Sequence, residues 1–151
     1  MRDTWGNASG IHYFGQQAKA ALDGARASVA TLLAADASEV VFTAGGTESD
    51  NIAIRGVAEA LEPSGRTHLI TSSIEHEAVL NTMKALARRG WRVTVLPVDA
   101  SGIVSPDRLR ETIDDRTALV SIMHANNEIG TVQPIAELAS VAHEHGAEVS
   151  T

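Results

Sequence analysis

What most constrains the fold of this chain is a repeated alternation. Short apolar runs rich in β-branched residues recur, and longer stretches with apolar positions at helical spacing lie between them. Residues 40–43, 68–71, 92–98, 118–123 and 147–149 read as strands, the first of them a buried one. Residues 15–34, 48–61, 77–89, 105–113 and 135–144 read as helices. In the third of these, Val79, Leu80, Met83, Leu86 and Ala87 share one face and Gly90 ends it. Ser105 before Pro106 supplies a cap and then a proline at the first helical position. Strands that alternate with helices predict an α/β fold, a three-layer α/β/α arrangement with a mainly parallel sheet covered on both faces. No repeat, low-complexity stretch or linker interrupts the 151 residues, which read as a single domain.

Composition narrows the function. The formal net charge is -7 and no basic run offsets it, which argues against direct nucleic acid binding. The absence of cysteine excludes disulfides, thiolate metal sites and a cysteine nucleophile within these residues, and no metal site is expected. No apolar run is long enough to span a membrane, and Met1-Arg2-Asp3-Thr4-Trp5-Gly6 lacks the apolar core of a signal peptide. A cytoplasmic protein is the expectation.

Parallel sheets of this kind bind ligands at the carboxyl ends of their strands, so the polar groups there are the candidates. Gly45-Gly46-Thr47 falls between a strand and a helix. Its glycines allow close backbone approach, and the helix that follows offers free N–H groups and the positive end of a dipole to an anion. No lysine follows, so a phosphate monoester fits better than a nucleotide triphosphate. The plainer alternative is a turn in which Thr47 caps the helix. His76 sits after a strand and before a helix, where an imidazole can stack on a flat ring or move a proton; alternatively it is a surface histidine that begins a helix. Asn126-Asn127-Glu128 ends a strand, and an asparagine amide there can bond a phenolate-like oxygen or simply shape a turn. His124 reads as a packed strand histidine and Gln133 as structural.

Taken together, Gly45-Gly46-Thr47-Glu48-Ser49-Asp50-Asn51, Glu75-His76-Glu77-Ala78-Val79 and His124-Ala125-Asn126-Asn127-Glu128-Ile129-Gly130 resemble the cysteine desulfurase family. That family belongs to the class V aminotransferase group of pyridoxal phosphate enzymes. Gly6-Asn7-Ala8-Ser9-Gly10-Ile11-His12 is similar to its early active-site segment. The resemblance implies part of a fold type I pyridoxal phosphate large domain, truncated at both ends. It implies that the Gly46 backbone and Thr47 hydroxyl hold the phosphate of pyridoxal 5'-phosphate, that His76 stacks on the ring, and that Asn127 bonds the ring hydroxyl oxygen. The implied reaction takes sulfur from L-cysteine, leaves alanine and carries the sulfur as an enzyme persulfide. A homodimer and a sulfur-acceptor or iron–sulfur scaffold protein are the implied partners. Ala8, Gly10 and Ser150 depart from a usual proline, serine and histidine.

The same resemblance places the pyridine-nitrogen aspartate directly after Thr151, with the Schiff-base lysine and the catalytic cysteine further on. The lysines here, Lys19 and Lys84, both fall inside expected helices. The 151 residues alone are therefore expected not to release alanine and sulfide from cysteine faster than free pyridoxal phosphate does. Two other readings stay open: a selenocysteine lyase or related class V enzyme, and a non-catalytic domain that binds a phosphate compound.

Overall fold

The computed structural model describes residues 5–151; the expectation for Met1 to Thr4 lies outside them. The chain forms two compact units, residues 1–43 and 44–151.

In the first unit one helix dominates, α1 (Tyr13–Leu33), two residues earlier than its periodicity suggests. His12 caps it, its Nδ1 accepting the Gly15 N–H at 3.3 Å. Gly15 is required there: a Cβ would lie 2.3 Å from the Gly10 carbonyl oxygen. The helix stops where Ala34 turns left-handed (φ 51°) and the Ala35 N–H returns to the Ala30 carbonyl at 3.0 Å. Residues 40–43 are not the buried strand their composition predicts. No ladder forms there among the described residues, and Val41 and Phe42 are 64% and 45% exposed. The segment is held by its own unit instead. Arg26 donates to the Val40 carbonyl, and its guanidinium lies 5.2 Å over the Phe42 ring. β-branched and aromatic residues make an extended run; only a paired neighbour makes it a strand.

The second unit carries the expected sheet. Its strands are β1 (His68–Ser72), β2 (Arg92–Leu96), β3 (Thr117–Ser121) and β4 (Glu148–Ser150). Their order is β2-β1-β3-β4 and every pairing is parallel. The helices are α2 (Gly46–Leu61), α3 (Glu77–Ala87), α4 (Pro106–Thr112) and α5 (Ile135–Glu144). Two buried clusters fill the space between layers. Ile54, Ala58, Val79, Met83 and Leu86 of α2 and α3 pack with Leu69 and Leu119. Leu109 of α4 and Leu138, Val141 and Ala142 of α5 pack with Ile70 and Val120. Alternate strand residues thus face opposite layers, as the pleat requires. The three-layer expectation holds.

A buried histidine fastens the amino end of the sheet. His68 is 1% exposed; its Nδ1 lies 2.9 Å from Thr117 Oγ1 and its Nε2 2.8 Å from Thr94 Oγ1. One ring therefore ties β1 to both neighbours. Burial, with the nearby Arg92 guanidinium, lowers its pKa to about 4, although Asp114 pulls the other way.

The topology decides where a ligand can enter. From β1 the chain passes through α3 to β2, and from β3 through α5 to β4, on the opposite side. The α3 and α5 layers lie on opposite faces of the sheet. At the carboxyl ends of β1 and β3 the connections diverge, so a crevice opens between them.

Candidate active site

Two connections border that crevice. The first leaves β1 through Ser73, Ile74, Glu75 and His76 and enters α3. His76 is the N-cap of α3: its Nδ1 accepts the Ala78 N–H at 3.1 Å. That bond places the proton of a neutral ring on Nε2 and fixes how the imidazole leaves the backbone. The ring is exposed, so His76 is a surface histidine that begins a helix and leaves a face of its imidazole open.

The second connection leaves β3 and contains Asn126 and Asn127, which have separate tasks. Asn126 is buried and its amide is fully engaged. Its Nδ2 donates to the Ile74 carbonyl at 3.0 Å, and its Oδ1 accepts from the Glu128 and Ile129 N–H groups at 2.9 and 3.0 Å. It builds the turn. Asn127 is exposed, and no hydrogen bond among the described residues holds its amide. The turn is braced from behind by an Ala125–Val132 bridge. Gln133 adds to it, accepting from the Val104 N–H at 2.9 Å and donating to the Gly102 carbonyl at 2.6 Å. Gln133 is structural, as expected. His124 is not the packed histidine expected; it lies beyond the end of β3 and is exposed.

Glu75 joins the two connections and was passed over in the sequence. It is 8% exposed, and its Oε1 accepts from both the Ser72 hydroxyl at 2.5 Å and the Met123 N–H at 2.9 Å. Burial raises its pKa, the two hydrogen bonds oppose that, and the charge of Asp50 adds to it. The available signal was a carboxylate directly after an apolar strand, where no solvated face is due.

The third element is the start of α2. Gly45 is its N-cap, and Gly46 and Thr47 open the helix. The Glu48 and Ser49 N–H groups bond the Gly45 carbonyl at 3.1 Å each, while the Glu48 carboxylate accepts the Ala44 N–H at 2.6 Å. Among the described residues no acceptor takes up the Gly46 and Thr47 N–H groups or the Thr47 hydroxyl. A Cβ built at Gly45 or Gly46 meets nothing within 4 Å, so the approach to these donors is open.

His76 is common to two clefts. One, of about 330 Å³, is lined by Thr47, Asn51, Arg55, His76, Asn81 and Thr82 among others. The other, of about 440 Å³, is lined by Glu75, His76, Asn126, Asn127 and Glu128 among others. Thr47 and Asn127 thus each line a cleft that His76 also lines, and all three keep hydrogen-bonding capacity. No group of histidine, aspartate or glutamate side chains able to hold a metal occurs among the described residues. No helix among them is long and apolar enough to cross a membrane.

Known proteins resemble this chain in sequence and in fold. The family described as Aminotransferase class-V matches residues 1–151. The chain is 48% identical to the cysteine desulfurase IscS of Dictyoglomus turgidum over 145 residues, which cover 96% of this chain and 36% of that protein. Among solved structures it resembles a NifS-like protein with a TM-score of 0.92 at 40% identity, covering 98% of this chain and 41% of the other. It also resembles SspA in complex with cysteine, with a TM-score of 0.90 at 44% identity, covering 97% of this chain and 42% of the other. The chain thus spans well under half the length of the proteins it matches. With the family model matched along the chain and the fold shared with solved structures, the chain belongs to the class-V aminotransferase family, a family of pyridoxal phosphate enzymes.

Proposed function

We propose that the protein containing these residues is a cysteine desulfurase that takes sulfur from L-cysteine, giving alanine and an enzyme persulfide. Residues 1–151 would supply the non-covalent cradle of pyridoxal 5'-phosphate. The supporting observation is that an open helix start and an unengaged amide each share a cleft with the exposed, capped imidazole of His76.

These residues fit the cofactor. Two backbone N–H groups, a hydroxyl and the positive end of α2 match a phosphate dianion, and nothing blocks its approach. The His76 ring would lie against the pyridine face. Its Nδ1 is held by the Ala78 N–H, which limits how the ring can turn. The Asn127 amide would donate to the ring hydroxyl oxygen, because Asn126 beside it is already engaged by Ile74, Glu128 and Ile129. When bound, pyridoxal phosphate supplies an electron sink for chemistry at the amino-acid carbon. The chain's own residues orient it and hold it. The 151 residues contain no cysteine, so the thiol that receives the sulfur comes from outside them. A homodimer, a sulfur-acceptor or iron–sulfur scaffold protein and a cytoplasmic location belong to the same proposal.

The experiment is a pyridoxal phosphate titration, followed by absorbance, of wild type and of Thr47→Ala, His76→Ala and Asn127→Ala. Each substitution is expected to weaken binding by about tenfold, the effect of one lost charge-assisted bond or stacking contact. Equal affinity in all four proteins overturns the site assignment.

A further inference from the structure

The geometry points to Glu75 as the positioning residue of this crevice: one carboxyl oxygen fixes the His76 turn to the backbone that leads to Asn127. The inference rests on the cofactor reading above for its functional consequence, but its structural content is independent of it.

The argument starts from the divergence of the two connections. β1 and β3 are neighbours in the sheet, yet beyond Ser72 and Ser121 no ladder bond joins the chains that leave them. Those chains carry His76 and Asn127, which would have to address two parts of one rigid ring. Two cross-links replace the missing ladder. The Asn126 Nδ2 reaches the Ile74 carbonyl at 3.0 Å, and the Glu75 Oε1 receives the Met123 N–H at 2.9 Å. Glu75 is one residue from His76, and Met123 is four from Asn127. The Ser72 hydroxyl, on the same oxygen at 2.5 Å, sets the carboxyl's orientation from the strand side.

The clamp needs an acceptor at that reach rather than a charge. Burial and Asp50 both disfavour the ionised form, so a neutral group of the same shape satisfies the same donors. Glu75→Gln keeps an amide oxygen at the same distance. Glu75→Asp keeps the carboxyl but withdraws it by one methylene, and Glu75→Ala removes the acceptor and leaves the half-buried Met123 N–H without its partner.

The experiment compares wild type with Glu75→Gln, Glu75→Asp and Glu75→Ala in the natural protein containing these residues, with Leu138→Ala as a control. Leu138 lies in the α5 core cluster, so its truncation destabilises the same unit without touching the carboxyl. Two readouts are taken: the amide exchange rate of Met123 in ¹⁵N-methionine-labelled protein, and pyridoxal phosphate affinity. Glu75→Asp and Glu75→Ala are expected to accelerate Met123 exchange and to weaken cofactor affinity by about tenfold, since a small misplacement of orienting groups is costly. Glu75→Gln is expected to keep both near wild type, and Leu138→Ala to keep cofactor affinity near wild type. Should the alanine variant fail to fold, aspartate against glutamine decides alone. Glutamine behaving like aspartate, or aspartate behaving like wild type, overturns the clamp. Should wild type itself not bind the cofactor, the desulfurase reading falls, and Met123 exchange still decides the clamp.

Discussion

At the residue scale, the tightest coupling in the molecule is between burial and protonation at His68. Both ring nitrogens meet threonine hydroxyls, which can accept from or donate to a neutral imidazole but leave an imidazolium poorly solvated. The unfolded chain takes up a proton near the ordinary value of 6.5, whereas the folded chain does so only near 4. Between those values the unfolded state binds more protons, so stability is fully present above pH 6.5 and falls as pH drops towards 4. The loss at the acid end is on the order of 3 kcal/mol. Glu75 acts in the opposite sense, because its folded pKa is raised and acid therefore favours the folded form. The His68 share is accordingly read as the difference between wild type and His68→Gln in urea unfolding at pH 7 and pH 4.5. The wild type is expected to lose more stability over that interval; equal loss would mean that His68 titrates normally. None of this was legible in the sequence, where His68 is simply the first residue of a strand. That Thr47 opens a helix, His76 precedes one and Asn127 follows a strand was legible, because strand ends and helix starts can be read from periodicity. Glu75 was not, because its role depends on Met123, which is 48 positions away.

At the element scale, glycines separate what a helix tolerates from what its surroundings demand. Gly56 lies inside α2, and a Cβ there meets nothing within 4 Å. Gly15 lies in the first turn of α1, and a Cβ there would fall 2.3 Å from the Gly10 carbonyl oxygen and 2.8 Å from that of Asn7. Gly56→Ala is therefore expected to raise stability by about 0.5–1 kcal/mol, through reduced freedom of the unfolded chain. Gly15→Ala is expected to cost about 1–3 kcal/mol, because backbone rather than a flexible side chain must move. Thermal unfolding followed at helical wavelengths checks both, and a shift of the same sign in the two variants would refute the close approach at Gly15. The helices were legible almost to their ends, and α5 in full, since caps, prolines and apolar spacing act locally. Residues 40–43 were misread for a physical reason. Whether an extended apolar run becomes a strand is settled by a pairing partner, which lies elsewhere in the chain. Here Arg26 engages the Val40 carbonyl and the Phe42 ring instead.

At the scale of the whole molecule, burial is distributed unevenly, and that bears on how firmly the crevice is built. Every residue of β1 and of β3 is buried, with apolar side chains from four helices against the two faces. His76 and Asn127 leave the ends of these two strands, so the border they form rests on the best-packed elements present. In α1, by contrast, only Gly15 and Ala30 are buried, and Leu22, Leu32 and Leu33 are 40%, 84% and 66% exposed. Helices in proteins gain most of their stability from packing an apolar face, and this one has little of that packing within its own unit. Amide exchange in a chain of these 151 residues is therefore expected to divide sharply. The interior amides of β1 and β3 open only with global unfolding, whereas those of α1 open locally and exchange at least about 100-fold faster. Equal protection of α1 and β1 would contradict this division and would mean that something covers the three leucines in solution. The expected result would instead mean that α1 opens while the ladders of β1 and β3 stay intact. A substitution such as Leu32→Ser should then leave pyridoxal phosphate affinity unchanged while Thr47→Ala weakens it.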